Sequence, residues 1–172
     1  MSDDALEVEN LHTLLHPKSV AVIGASGERT RIGGLIVDEL NRFGFPGDVF
    51  PINPKYDEVH GFPCFPSLSA VPSDKSIDVA VLYLKAELIP DAIRECGSRG
   101  VNGIIVITSG FAEVGPEGAL LEQKVFEAAR EFSLAVCGPN CAGMANFNED
   151  FVAYGTTNFI DLREIRNRGS HT

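Results

Sequence analysis

The chain has no apolar run near the roughly 18 uninterrupted residues that a membrane-spanning helix needs. Its first residues, Met1-Ser2-Asp3-Asp4, lack the basic and apolar regions of a secretory signal, which points to a cytoplasmic protein. Positive charge is scarce: 14 Lys and Arg stand against 24 Asp and Glu, for a formal charge of −10. A field of that sign repels polyanions, which argues against nucleic acid or an anionic membrane as partner; a small anion can still bind at a local positive site. Four cysteines, Cys64, Cys96, Cys137 and Cys141, are too sparse for a disulfide framework in a chain with clear strand and helix patterning, so they are read as free thiols. Cys137 and Cys141 have CxxxC spacing, but no second pair or nearby histidine completes a zinc set, and no metal is expected. There is no GxxxxGK(S/T) phosphate loop and no GxSxG nucleophile turn. The four histidines, His12, His16, His60 and His171, lie outside the segments that carry the unusual residues.

What is present is one domain's worth of sequence: 172 residues, 44% of them apolar, enough to bury a core. Short continuous apolar runs recur at Ser19–Ile23, Asp48–Ile52, Ile77–Leu82, Gly103–Ile107 and Leu134–Cys137. Such runs, rather than alternating ones, suit strands covered on both faces. Between them, Ile32, Leu35, Ile36, Leu40 and Phe43 share one helix face, and Gly44 supplies a stop. A second helix is expected over about 88–99 with Pro90 in its first turn, and a third over about 116–132 with Leu121, Val125, Ala128, Ala129 and Phe132 on one face. Residues 53–76, rich in Pro, Gly and Ser, read as turns with room for a short strand or helical turn. The resulting order, β-α-β-turns-β-α-β-α-β, predicts an α/β fold, a Rossmann-like doubly wound parallel sheet in a single domain.

Leu6, Leu11, Leu14 and Leu15 suggest a short amphipathic helix on the sheet edge, ended by His16-Pro17. The expected organisation is therefore a helical extension over 1–16, the main domain over 17–147, and a C-terminal segment over 148–172. Its charged end, 161–172, reads equally as a native, frayed or appended tail.

Sheets of this topology bind ligands at the carboxyl ends of their strands, near the point where strand order reverses. The small residues of Gly24-Ala25-Ser26-Gly27 let backbone N–H groups approach a phosphate, and the helix after them adds its positive end; the same glycines also suit a plain tight turn. After the second strand, Asn53-Pro54-Lys55 sets a lysine where an NAD site would carry an acid. Lysine there can pair with a ribose phosphate, which fits NADP as well as other phosphorylated nucleotides, and it also suits a solvated surface. Tyr83-Leu84-Lys85 follows the third strand, and Thr108 through Glu113 follows the fourth. Ser109 and Glu113 have no nucleophile or base partner in the pattern, and Glu113 equally favours the start of the next helix. Gly138-Pro139-Asn140-Cys141 reads as a rigid turn with a thiol that is either packed or reactive.

The segments Pro17 through Ser26, Pro51-Ile52-Asn53-Pro54-Lys55, Ser109-Gly110-Phe111-Ala112-Glu113 and Gly138-Pro139-Asn140-Cys141-Ala142-Gly143 together resemble the N-terminal CoA-binding domain of NDP-forming (ADP-forming) acyl-CoA synthetases. That family includes the succinyl-CoA synthetase α subunit, and the resemblance covers about residues 11–147. Ser-Gly-Phe-x-Glu resembles the acyl-CoA synthetase branch; succinyl-CoA synthetases usually carry Thr-Glu-Gly there. The resemblance implies coenzyme A as ligand, bound by Gly24, Ala25, Ser26 and Gly27 at its phosphates and by Asn53, Pro54 and Lys55 at the phosphorylated ribose. Tyr83, Leu84 and Lys85 would lie on the adenine or pantetheine path, Lys85 standing where the family often has proline; Ser109, Gly110, Phe111, Glu113 and Asn140 complete the implied site. The family makes an acyl phosphate, passes phosphate through a histidine to a nucleoside diphosphate, and lets the CoA thiol attack the acyl group. The resemblance implies that the histidine and nucleotide steps belong to a flavodoxin-like and an ATP-grasp domain, supplied in cis or in trans, so that this chain is not catalytic alone. An NADP-binding redox enzyme or sensor, and a regulatory CoA-binding module of a protein acetyltransferase, are the alternatives.

Overall fold

A computed structural model of the chain describes residues 10–155. Five parallel strands, β1 (Ser19–Ile23), β2 (Asp48–Ile52), β5 (Val79–Leu82), β6 (Gly103–Val106) and β7 (Ala135–Cys137), form one sheet in the order β2-β1-β5-β6-β7. The hairpin β3 (Glu58–Val59) and β4 (Phe62–Pro63) interrupts the Pro- and Gly-rich stretch after β2, followed by a single helical turn at Leu68–Ala70. The helices are α1 (residues 10–15), α2 (Ile32–Phe43), α3 (Ile89–Ser98) and α4 (Pro116–Glu131). The chain steps from β1 outward to β2, then returns to the other side of β1 and continues β5, β6, β7, so strand order reverses between β1 and β5.

The continuous apolar runs arise because alternate residues of each strand enter two different cores. Ala21, Ile23, Leu82, Ile104 and Val106 pack with Ile93 of α3 and Val125 and Ala128 of α4. Val20, Val22, Val79, Val81 and Ile105 pack with Ile36, Val37 and Leu40 of α2 on the opposite face. Helices on both faces leave neither side of the sheet to water. Phe132, expected on the apolar face of α4, follows the helix, and its ring lies against Gly97 of α3, where a Cβ would come within 2.3 Å of it.

Two expectations change. Leu14 of α1 does not flank an edge strand: its side chain enters the slot left by Gly103, beside Val79, beneath the starts of the interior strands β5 and β6. Asn10 of the same helix donates from Nδ2 to the Ser133 carbonyl at 2.6 Å. Leu6 of that helix lies outside the described residues, as does the charged tail 161–172. The boundary expected at 147 falls inside an antiparallel hairpin of β8 (Gly143–Asn146) and β9 (Phe151–Tyr154). Phe151, Val152 and Ala153 are fully buried, and the Phe151 ring meets Phe45 at 5.7 Å, so β9 covers α2 as part of the domain. That cover explains why α2 buries Val37 in addition to the face read from its spacing.

Candidate functional site

The carboxyl edge of the sheet is stitched together loop by loop, in strand order. The Gly24 N–H donates to the Ile52 carbonyl at 3.1 Å, and Asn53 Nδ2 donates to the Ala25 carbonyl at 2.7 Å, joining the loops after β1 and β2. Gly24 has φ of 92°, and a Cβ there would stand 2.0 Å from the Tyr83 carbonyl oxygen, so glycine is what lets the loops after β1 and β5 touch. The buried Thr108 hydroxyl bridges the next pair: it donates to the Leu84 carbonyl at 2.9 Å and accepts from the Leu84 N–H at 3.2 Å. The Thr108 carbonyl in turn accepts the Asn140 N–H at 3.0 Å, bringing in the loop after β7. Lys55 and Asn140 thus sit at the two ends of a seam four inter-strand steps wide, about 19 Å at the usual spacing. A ligand that used the whole seam would have to be elongated.

In the turn after β1, the Ser26 hydroxyl accepts the Glu28 N–H at 3.1 Å and stands 3.5 Å from the Tyr56 hydroxyl. Among the described residues, the N–H groups of Ala25, Ser26 and Gly27 have no hydrogen-bond acceptor in the protein, although Ala25 and Ser26 are buried. Buried N–H groups ordinarily find a partner, and those of Ala25 and Ser26, with that of the exposed Gly27 next to them, are free to meet an anion. Helix α2 begins at Ile32 with Arg31 as its N-cap and no acidic residue in its first turn, so its positive end is uncompensated there. Gly33 and Gly34 complete the turn: a Cβ on Gly33 would lie 2.0 Å from the Gly24 carbonyl oxygen, and one on Gly34 would lie 2.2 Å from that of Glu28. The sequence signal for them was the Gly-Gly pair itself, which breaks the spacing of the usual dinucleotide turn.

Several expected site residues have structural duties. Both ends of the Asn53 carboxamide are used, Nδ2 on the Ala25 carbonyl and Oδ1 on the Lys55 N–H at 3.0 Å, so Asn53 positions the seam. The Phe111 ring, expected at the ligand edge, is fully buried in the core with Val125 and Ala128, where it anchors its loop. Glu113 folds back on that loop, accepting the Gly110 N–H at 2.5 Å and the Phe111 N–H at 3.1 Å; the Gly110 bond foremost holds its carboxyl below the usual range. It therefore braces the loop, and α4 starts only at Pro116. Lys55, Tyr83, Lys85, Ser109 and Asn140 are exposed, Pro54 beside them, and Leu84 and Gly110 are half-buried. Among the described residues, neither Lys55 nor Lys85 takes part in an ion pair, whereas Arg29 is paired with Asp38 at 3.0 Å and Arg31 with Glu28 at 3.1 Å. Lys55 is thus an uncommitted positive charge at the β2 end of the seam.

Comparison with known proteins decides which family this edge belongs to. The family profile described as a CoA binding domain matches residues 18–146, from the residue before β1 to the end of β8. The chain belongs to the CoA-binding domain family. Among the proteins similar to this CoA-binding domain is the Archaeoglobus fulgidus acetate–CoA ligase (ADP-forming) I, 43% identical over 136 residues, which are 79% of this chain and 19% of the ligase. The 4-hydroxybutyrate–CoA ligase (ADP-forming) of Nitrosopumilus maritimus is likewise 43% identical, over 135 residues covering 78% of this chain and 19% of that protein. Among solved structures, an acetyl-coenzyme A synthetase of Ca. Korarchaeum cryptofilum in complex with phosphate and ADP superposes with a TM-score of 0.80 at 37% identity, over 87% of this chain and 32% of that one. The chain therefore spans about a fifth to a third of the length of these proteins and corresponds to the N-terminal part of ADP-forming acyl-CoA synthetases. The parallel five-stranded, Rossmann-like sheet expected from the sequence is the fold of these relatives. A Pyrococcus furiosus relative, 37% identical over 78% of this chain, is a subunit alpha, so the family also occurs in synthetases divided between chains. No helix among the described residues is long and apolar enough to cross a membrane.

Proposed function

We propose that this domain binds coenzyme A along the carboxyl-edge seam, as the CoA-binding part of an ADP-forming acyl-CoA synthetase system in the cytoplasm. The observation that carries this reading is the turn Ala25-Ser26-Gly27, with its three N–H groups lacking a protein acceptor, inside residues matched by a CoA-binding family. In this reading the diphosphate accepts those N–H groups beside the positive end of α2, as phosphates do at helix starts. Lys55 pairs with the phosphate on the ribose, a charge-assisted contact available because the lysine has no internal carboxylate partner. Tyr83 and the half-buried Leu84 line the middle of the seam, and the pantetheine arm runs past Ser109 toward Asn140. Family membership favours coenzyme A over NADP, which Lys55 alone would serve equally well.

The reactions that make the acyl phosphate and move phosphate through a histidine would need a flavodoxin-like and an ATP-grasp domain, in cis or in trans. No histidine stands in the five seam loops, and the loops hold no base within reach of Ser109 in the hydrogen-bond pattern. This chain's own part in the reaction would be to hold the CoA nucleotide so that its thiol is presented to the acyl group.

Hydrogen exchange with and without coenzyme A tests the placement. Protection is expected first at the Ala25, Ser26 and Gly27 amides and then across 53–55, 83–85 and 138–140. Protection confined to the amino end of the sheet, around α1, would reject the site.

A further inference from the structure

At the far end of the seam, two cysteines lie side by side where the family's CoA chemistry does not require a pair. Cys137 ends β7, in register with Ile105, and Cys141 returns on the loop that follows. The Cys141 thiol donates to the Val106 carbonyl at 3.3 Å and lies 3.7 Å from the Cys137 carbonyl oxygen, which sets its sulfur against Cys137. Gly138, whose Cβ would be 3.3 Å from the Cys141 sulfur, leaves the space that lets the loop close in this way. Both residues are half-buried, whereas Cys96 is sealed in the core and Cys64 has no second cysteine beside it. No group of side chains around them could hold a metal among the described residues.

We propose that Cys141 and Cys137 form a thiol–disulfide exchange site for small-molecule disulfides, in which Cys141 attacks and Cys137 resolves. The asymmetry is built into the loop. The Cys137 thiol beside it, more than the backbone of the loop, draws the Cys141 thiol down to about 7 against the burial that would raise it. The same neighbour, together with burial, pushes the Cys137 thiol up. A partly exposed, readily ionised thiol next to a second cysteine is the arrangement found where reversible oxidation occurs.

The exchange balances in two steps. The Cys141 thiolate attacks one sulfur of a disulfide RSSR, forming Cys141–S–S–R and releasing RS⁻, which takes a proton from water. Cys137 then gives its proton to solvent and attacks the Cys141 sulfur, releasing the second RSH and leaving a Cys137–Cys141 disulfide. The two cysteines are oxidised by two electrons, and RSSR is reduced to two RSH. The closed disulfide would cross-link the loop that carries Asn140, at one end of the seam.

The test uses the reduced full chain with coenzyme A disulfide in one arm and glutathione disulfide in the other, followed by trypsin and mass spectrometry. Both cysteines fall in the single peptide Glu131 to Arg163, which contains neither Cys64 nor Cys96. Reaction is expected to leave that peptide lighter by about 2 Da with release of two thiols. C137S should stop at a mixed disulfide on Cys141, and C141S should slow adduct formation in this peptide by about tenfold or more. Reaction in both arms assigns the site to small disulfides generally; reaction with coenzyme A disulfide alone assigns it to that one source. Modification mainly at Cys64, a stable adduct that never closes in the wild-type chain, or an unchanged rate in a folded C141S variant would overturn the proposal. The glutathione arm reads the thiol pair whether or not coenzyme A binds the seam.

Discussion

Removing one hydroxyl should loosen the site from behind. Thr108 is 4% exposed, and its oxygen serves both polar groups of Leu84, accepting the N–H at 3.2 Å and donating to the carbonyl at 2.9 Å. Thr108→Val keeps the shape, fills the same space and leaves both Leu84 groups without that partner. Each buried group so orphaned costs about 1–3 kcal/mol. Leu84 is half-buried, so water recovers part of the loss, and the lower end applies to each group, about 2 kcal/mol in total. For a domain of this size that corresponds to a fall in Tm of roughly 4–8 °C. Urea denaturation of wild type, Thr108→Val and Thr108→Ser measures it, the serine variant restoring the hydroxyl and losing only a methyl. Because the same bond joins the loops after β5 and β6, hydrogen exchange should quicken at Leu84 in the valine variant and not in the serine one. A valine variant within about 0.5 kcal/mol of wild type, the range of a neutral surface change, would refute the view that this hydroxyl holds the seam together.

Lys55→Ala should leave stability within about 0.5 kcal/mol, since no ion pair is lost, yet weaken coenzyme A by about 1–2 kcal/mol, roughly five- to thirtyfold, while dephospho-CoA changes little. Equal losses for the two ligands in calorimetry would remove Lys55 from the ribose phosphate. Gly24→Ala should destabilise by more than about 2 kcal/mol, because it adds left-handed strain and a clash with the Tyr83 carbonyl, and thermal melts will register it before any binding assay does. Gly27→Ala meets only the movable Tyr56 ring at 3.2 Å, so its folded state should survive while coenzyme A binding weakens; unimpaired binding would locate the phosphates elsewhere. The Glu113 carboxyl is held below its ordinary value in the fold by the Gly110 N–H, so its brace is fully present above the unfolded value of 4.5 and is lost as pH falls through the lower folded value. Carbon-detected NMR should find that titration below 4.5, with Gly110 amide exchange accelerating alongside it; a midpoint at or above 4.5 would contradict the bond.

The sheet was legible because its signals are local. Each strand is a short apolar run, and each main helix repeats its apolar residues on one face, so β1, β2, β5, β6 and β7 and helices α2 to α4 emerge from spacing to within two residues at most ends. The carboxyl-edge loops were legible for the same reason: strand topology alone brings their ends together. What was hidden depends on tertiary contacts. The β8–β9 hairpin is two short strands whose apolar residues matter only because α2 leaves a face for Phe151 to cover. Leu14 finds its slot because Gly103, far along the chain, lacks a side chain. Phe111 and Asn53 are polar-edge residues by position, but burial of one and double hydrogen bonding of the other turn them into supports. The bridging role of Thr108 depends on a loop 24 residues away in sequence, and nothing in its own neighbourhood announces it.

The most direct test of the central claim is calorimetric titration of the purified chain with coenzyme A, with dephospho-CoA and NADPH as comparators. The account predicts saturable coenzyme A binding at one site, weaker binding of dephospho-CoA, and no heat from NADPH. Binding of NADPH in place of coenzyme A, or coenzyme A binding indifferent to the ribose phosphate, would contradict it.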